Sequence, residues 1–434
     1  MKRYSAYKPS GVEWIGDIPE KWEIKRGKFV LALLAGFPAD SDLFTDDESC
    51  MPLIRIRDIN NASTEIFYKG KYPNLYIVNT NDVLIGMDGD FNIAKWQGRK
   101  ALLNQRVCRI IDSPKLDTNF AYYLLSQPLR LINDVTYATT VKHLSTNDLM
   151  NCLLPIPPLS EQVAIAAYLD SKCAKIDNVL SVQQKRIDLL KELKQSIITN
   201  AVTKGLDKNV EFKPSGIEWI GNIPENWTLM KLKHICKDEK YSIKTGPFGS
   251  QLKGEDLREE GDVRVYNQRN VIDDCFDDVQ FFVTSAKAKD LQSFFTKEND
   301  LLVTSRGTIG KCSILPKTAP MGVLHPCLIA LRINEKKCSL RWAKFFINES
   351  DCFKTNVFLN SNATTIEVIY TDTLKGIFIP LPPIKEQLEI ISYLERKCSA
   401  IDNQISKIER QIELLKEYKQ SIITECVTGK RKVC

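Results

Sequence analysis

The longest regular pattern in the chain is a stripe of apolar residues at helical spacing, and it occurs twice. From Lys385 to Thr424 no Gly or Pro intervenes, and Leu394, Ile401, Ile408, Leu415 and Ile422 fall every seven residues. Cys398, Ile405 and Ile412 follow the first three at a spacing of four. Such a seam predicts a long helix that needs an apolar partner. Between Glu161 and Thr199 the pattern returns as Leu169, Ile176, Leu190 and Ile197, with Cys173, Leu180 and Ile187 on the second row. Gln183 stands where Ile408 stands in the other stretch and breaks the row. About 40 residues at ~1.5 Å each give helices roughly 60 Å long. Pro157-Pro158 and Pro382-Pro383 close off what precedes them, and Ser160 is placed to cap the first helix. Each helix carries the stripe that would cover the other, so an antiparallel intramolecular pair is expected, with the residues just named as its interface. Two unrelated surface helices are the alternative.

Outside the helices the period shortens to that of strands. Asp82-Val-Leu-Ile-Gly86 and Asp300-Leu-Leu-Val-Thr304 are short apolar runs, each ending in a polar loop with glycine. Those loops are Met87-Asp-Gly-Asp-Phe-Asn92 and Ser305-Arg-Gly-Thr-Ile-Gly-Lys311. Glycine lets backbone approach a ligand closely, so both loops suit contact with a phosphate or a base edge; plain hairpin turns read the same way. The predicted fold is therefore two α/β (α+β) domains, each followed by a long helix. The expected boundaries are 1–154 and 206–379 for the α/β domains, with helices in 155–205 and 380–434.

The duplication is visible residue by residue. Lys8 to Trp22, KPSGVEWIGDIPEKW, and Lys213 to Trp227, KPSGIEWIGNIPENW, match at twelve of fifteen positions with an offset of 205. Leu190 to Thr199 and Leu415 to Thr424 match at nine of ten, at an offset of 225. Pro155-Ile-Pro-Pro with Glu161-Gln162, and Pro380-Leu-Pro-Pro with Glu386-Gln387, share that second offset. The sequence between these blocks does not align. Two constant frames with different contents predict one scaffold presenting two specificities.

Candidate contact residues lie in the divergent parts. Arg55-Ile-Arg-Asp-Ile-Asn60 and Tyr266-Asn-Gln-Arg-Asn270 each follow a strand-like run. Arg, Asn and Gln are the side chains that read guanine and adenine edges bidentately, which nominates Arg55, Arg57, Asn60, Tyr266, Asn267, Gln268, Arg269 and Asn270. A solvated strand end would look similar. The glycine loops add Asp88, Asp90, Asn92, Arg306, Thr308 and Lys311. Thr139-Thr-Val-Lys-His143 and Thr364-Thr-Ile-Glu-Val368 occupy parallel positions before the proline motifs, and Lys142 and His143 are chemically suited to a phosphate.

Composition narrows the classes. A net charge of +6, from 60 Lys+Arg against 54 Asp+Glu, permits a nucleic-acid partner without demanding one. Thirteen cysteines are scattered singly, with no Cys-x-x-Cys and only three histidines, so reduced thiols are expected rather than zinc. The first residues lack a signal-peptide pattern and no apolar run is long enough to span a bilayer, so the expected location is cytoplasmic. No nucleotide-binding, methyltransferase, metalloprotease or serine-hydrolase fingerprint occurs.

Taken together, the repeated Lys-Pro-Ser-Gly-x-Glu-Trp-Ile-Gly-x-Ile-Pro-x-x-Trp opening, the Pro-x-Pro-Pro-x-x-Glu-Gln helix start, Ile-Asp at 176–177 and 401–402, and Lys-Gln-Ser-Ile-Ile-Thr near each helix end resemble the specificity subunits of type I restriction–modification systems. The resemblance spans the whole chain. It implies that each divergent segment is a target recognition domain for one half of a bipartite DNA site. It implies helices paired as a coiled coil that fixes the gap and docks two modification subunits. It implies partners that carry the chemistry: S-adenosylmethionine on the methyltransferase subunits, ATP and Mg on the restriction subunits, and no cofactor, metal or catalysis on this chain. Arg306 to Gly310 matches a stretch common in such domains; Asp88-Gly89-Asp90 stands at the comparable place in the first half and departs from it. A self-sufficient nuclease or methyltransferase, or a coiled-coil protein without a DNA role, are the competing classes.

Overall fold

A computed structural model of the chain describes residues 2–135, 142–359 and 368–433. It divides into two units, residues 1–184 with 409–434 and residues 185–408.

The first unit opens with a small hairpin, β1 (Tyr7–Pro9) against β2 (Asp17–Pro19), formed by the repeated opening motif. β3 (Glu23–Arg26) follows and later pairs with the strand that leads into the long helix. The head's central sheet begins with β4 (Ala32–Ala35), and β5 (Met51–Ile54) then joins a second sheet. β6 (Val83–Gly86) and β7 (Ile93–Lys95) form a hairpin, and β8 (Ala101–Leu103) runs parallel to β5. β9 (Val107–Ile111) then lies between β6 and β4. All four residues of β6 are buried, as a continuous Val-Leu-Ile run requires of a strand covered on both faces. α1 (Thr118–Leu124), capped by the Asp117 carboxylate on the Phe120 N–H, packs Phe120, Ala121 and Leu124 into the core. β10 (Leu153–Ile156) completes the pair with β3 and leads into α2 (Leu159–Lys204).

The second unit repeats this plan in order. β11 (Phe212–Pro214) and β12 (Asn222–Pro224) form the opening hairpin, and β13 (Thr228–Lys231) waits for its partner. β14 (Ile243–Thr245), β15 (Val263–Tyr266), β16 (Leu301–Thr304) and β17 (Cys312–Ile314) take the places of β4 to β7. β18 (Val323–Leu324) runs parallel to β15, as β8 does to β5, and β19 (Leu328–Leu331) lies between β16 and β14. α3 (Leu340–Glu349) matches α1 but is longer: ten residues against seven. β20 (Phe378–Leu381) pairs with β13 and precedes α4 (Ile384–Val427). The expectation of strands at 82–86 and 300–304 thus holds, and the two heads share one topology despite sequences that do not align.

The long helices exceed the expected 40 residues, at 46 and 44. α2 begins at Leu159, so Ser160 lies inside its first turn and is not the cap; the Glu161 and Gln162 N–H groups both donate to the Pro158 carbonyl. In the first unit, Leu169, Cys173 and Ile176 of α2 share an apolar cluster with Ile422, Ile423, Cys426 and Val427 of α4, with Leu180 and Leu415 packed on it. In the second unit, Ile198, Ala201 and Val202 of α2 share a cluster with Ile390, Ile391, Leu394 and Cys398 of α4, with Ile197 packed on it. Ile187, Ile401, Ile405 and Ile408 are also buried, and Leu190 and Ile412 partly so. No helix among the described residues is long and apolar enough to cross a membrane.

Candidate nucleic-acid interface

The repeated motifs are the joints of each unit. The Trp22 indole N–H donates to Glu161 at 3.1 Å, and the Trp227 indole N–H donates to Glu386 at 2.9 Å. Gln162 is buried, accepts from the Asp117 N–H and donates to the Pro157 and Lys115 carbonyls. Gln387 does the same with the Ser339 N–H and the Pro382 and Lys337 carbonyls. One buried amide thereby binds the helix start, the proline turn and the segment before α1 or α3. Further along, Lys419 meets Asp177 at 2.6 Å and Lys194 meets Asp402 at 2.8 Å, one pair in each unit. These pairs are half-exposed, worth roughly 0–1 kcal/mol each, and they fix register more than stability. The motif residues therefore have structural work in both copies, which leaves the loops for contact.

Four loops meet at one edge of each head. In the first, the Asn104 N–H donates to the Ile54 carbonyl, joining the loop after β8 to the loop after β5. The Met87 N–H donates to the Arg106 carbonyl, and the Leu144 N–H to the Met87 carbonyl, which adds the β6–β7 loop and the segment at 142–144. In the second, the His325 N–H donates to the Tyr266 carbonyl, the Ser305 N–H to Cys327, and the Ile369 N–H to Ser305. Asp88 bridges His143 and Arg306 bridges Val368, so the two glycine loops are equivalent in structure. Residues 139–141 and 364–367 of the flanking segments lie outside the described residues.

The β6–β7 and β16–β17 loops are built to hold a shape. Gly89 has φ 75° and Gly307 φ 68°, the left-handed region that side chains resist. Phe91 is buried at φ 49°, a costly conformation for a large residue that holds the loop by its ring. Asp90 and Asn92 are left exposed, as are Arg306, Thr308 and Lys311. Asp88 is engaged: its Oδ1 lies 2.6 Å from His143 Nδ1 and 3.7 Å from Arg106. The Lys142 amine donates to the Asn133 carbonyl at 2.6 Å, while His143 is exposed.

The polar strings after β5 and β15 need correction. Tyr266, Asn267 and Asn270 are buried, and their side chains serve the head itself. Asn267 caps the short helix 268–272, Asn270 donates to the Cys275 and Asp278 carbonyls, and the Tyr266 hydroxyl donates to Pro320. These three drop out of the set a ligand could reach. Arg55 is turned onto buried Asp58, with its Nε at 3.1 Å, whereas Arg57 and Asn60 face solvent. Gln268 stays in reach, half-buried beside Gly307, and Arg269 is exposed but paired with Asp273 and Asp278.

The sequence reading missed a pair of glycines behind the edge. A Cβ at Gly36 would lie 2.0 Å from the Asn104 carbonyl oxygen, and one at Gly246 2.2 Å from that of His325. Both backbones pass directly against the third loop. The signal was present as Gly36-Phe-Pro38 and Gly246-Pro-Phe248, each directly after a strand. His325, weighed in the sequence only as one of three histidines for zinc, stacks on Phe281, sits 2.8 Å from the Cys327 sulfur, and burial lowers its pKa. The described cysteines are all free, and burial pushes the Cys108 and Cys236 thiols up to about 12, which leaves them inert. No group of His, Cys, Asp or Glu among the described residues could hold a metal ion.

Duplicated heads, shared loop edges and twin helices define a two-headed recognition scaffold. The chain matches the type I restriction modification DNA specificity domain over residues 19–204 and 224–414, and it belongs to that family. It is similar to the EcoBI specificity subunit of Escherichia coli, 31% identical over 91% of this chain and 83% of that one. The MjaVIII specificity subunit of Methanocaldococcus jannaschii is 26% identical, over 96% of this chain and 94% of its own length. Among solved structures, a chain of a type I R-M system studied for complex assembly and conformational transition superposes with TM-score 0.68 at 16% identity, covering 94% of this chain and 98% of that one. The HsdS subunit of Thermoanaerobacter tengcongensis gives 0.50 at 17% identity, covering 95% of this chain and 98% of that one. These structural likenesses speak for the fold.

Proposed function

We propose that the chain supplies DNA-sequence specificity to a type I restriction–modification complex, each head reading one half of a bipartite, asymmetric target. The observation that carries this is the equivalent four-loop edge built twice on one frame with different exposed groups. Asp90, Asn92 and His143 stand on the first edge; Gln268, Arg306, Thr308 and Lys311 stand on the second. Lys and Arg suit phosphate contact and register, and a few side chains reading base edges supply discrimination. In this reading α2 and α4 form an antiparallel coiled coil that sets the spacer and docks two modification subunits. S-adenosylmethionine, ATP and Mg then belong to the partner subunits, and this chain contributes no chemistry. Cytoplasmic work on double-stranded DNA goes with that role.

Footprinting of the assembled complex tests the proposal. Two protected half-sites separated by an indifferent spacer are expected, with affinity falling as salt rises. One contiguous site, or none, overturns it. Lengthening both helices by one turn should change the preferred spacer while both half-sites stay the same; altered half-sites would remove the ruler from the reading.

A further inference from the structure

A cavity in the first unit lies apart from the loop-edge contacts, but Asn60 of the loop after β5 lines it. It encloses about 880 Å³ and runs from Asn60, down β7 past Lys95 and Gln97, to Lys416, Lys419 and Gln420 on α4. Its floor carries two carboxylates that already have partners. Lys95 binds Asp170 at 2.8 Å, the Tyr123 hydroxyl donates to the same Asp170 at 2.6 Å, and Lys419 binds Asp177. Lys416 is exposed and makes no ion pair among the described residues. Three lysines against two aspartates leave one unmatched positive charge in a groove whose remaining polar lining is amides and hydroxyls, beside apolar residues such as Ile93, Leu180 and Ile423.

The second unit packs the corresponding place differently. There α3 is three residues longer than α1, and the carbonyl of its last residue, Glu349, accepts from Gln195, the counterpart of Gln420. Glu395 stands where Asp170 stands and is bound by Arg341. At the corresponding place in the first unit, Gln420 and Asp170 line the groove instead.

We propose that this groove holds the sugar–phosphate backbone of the duplex immediately inside the first half-site, with Lys416 as the phosphate contact. The inference rests on the specificity reading above, because Asn60 makes the groove continuous with the loop edge. Amides and hydroxyls beside one free cation suit a phosphate, which needs charge and donors but offers no sequence to read. Lys95 and Lys419 hold their aspartates away from the anion. The first half-site is then gripped through its flank as well as its bases, and the second is not.

The test uses the complete modification complex on a duplex bearing its split target. Removing one phosphate contact should lower the slope of log K against log salt by about one and weaken binding about four-fold at about 0.2 M salt. Lys416→Ala is expected to show both changes with half-site base preferences intact. Lys191→Ala, the counterpart in the second unit, is expected to show neither. A neutral methylphosphonate in the spacer strand beside the first half-site should weaken the unmodified protein and leave Lys416→Ala unaffected. An unchanged slope for Lys416→Ala, an equal loss for Lys191→Ala, or altered base preferences each overturn the groove. Failure of the unmodified complex to bind any split duplex overturns the specificity reading itself, and the groove with it.

Discussion

In both heads an aspartate tightens the turn before the central strand and then binds an arginine from the same sheet region. Asp82 accepts from the Asn79 N–H at 2.8 Å and pairs with Arg109 at 3.0 Å. Asp300 accepts from the Lys297 N–H at 2.8 Å and pairs with Arg332 at 3.2 Å. Their surroundings differ: the Asp82 side chain is 29% exposed, that of Asp300 only 2%. Burial raises the Asp300 pKa despite the arginine beside it. The heads share a device but not its energetics, whereas Trp22 and Trp227, with their glutamates, are alike in burial and partner. The joints are thus uniform between the heads where these interior pairs are not.

The joints give the largest expected effect. Trp22→Ala or Trp227→Ala removes a fully buried indole and its hydrogen bond, and each should cost its own unit about 3–5 kcal/mol. Denaturant unfolding followed by a probe in each unit checks this, since two units need not melt together. A loss below about 1 kcal/mol in one unit would break the equivalence of the joints.

Next in size is the contrast between the aspartates. Asp300→Ala leaves the buried Arg332 guanidinium with only the more distant Glu239, at 3.7 Å, and should cost about 3 kcal/mol. Asp82→Ala exposes Arg109 to partial solvent and should cost about 1 kcal/mol. Replacing Asp300 and Arg332 together by Leu and Met is expected to restore most of the loss, because apolar groups of similar volume carry no desolvation penalty. Equal losses for the two single variants would mean that the difference in exposure has no energetic consequence.

How much of this was legible follows from range. Helix seams and the strands at 83–86 and 301–304 were readable because period is local. The glycine loops were readable because positive φ favours one residue type. Tyr266, Asn267 and Asn270 misled because an Asn that caps a short helix and an Asn that reads a base look identical in sequence. The difference is burial, which the fold decides. Ser160 failed as a cap for a similar reason, since the proline turn supplies the Pro158 carbonyl two residues earlier. The groove beside Lys416 was invisible, because its lining comes from β7, α1, α2 and α4, which only the fold brings together.

At the loop edges, the comparison is sharpened by a smaller expected effect. Arg306 is exposed where the first head has Asp88, already engaged by His143. Arg306→Ala should cost about 1–3 kcal/mol of binding and relax one base position in the second half-site alone. Binding assays over all single-base variants of the target check it. Relaxation in the first half-site would show that the heads do not read independently.

The smallest effect concerns the seam. Gln183 stands at the position that Ile408 fills in α4, and its Oε1 is buried with no hydrogen-bond partner. Ile408 is 4% exposed. An unpartnered buried carbonyl costs roughly 1–3 kcal/mol, so Gln183→Ile should stabilise the first unit by about 1 kcal/mol once repacking is allowed for. Ile408→Gln should destabilise the second unit, and by more, because it both removes apolar contact and buries an amide. Thermal unfolding of the two variants decides between two meanings of Gln183. If Gln183→Ile stabilises and target spacing is unchanged, the residue is a tolerated defect in a duplicated seam. If it stabilises the fold but blurs the preferred spacer, the polar position holds register in the manner of buried polar residues in paired helices. If it destabilises, the amide has a partner that the isolated chain lacks, and the seam at that level belongs to an assembly surface rather than to the chain alone.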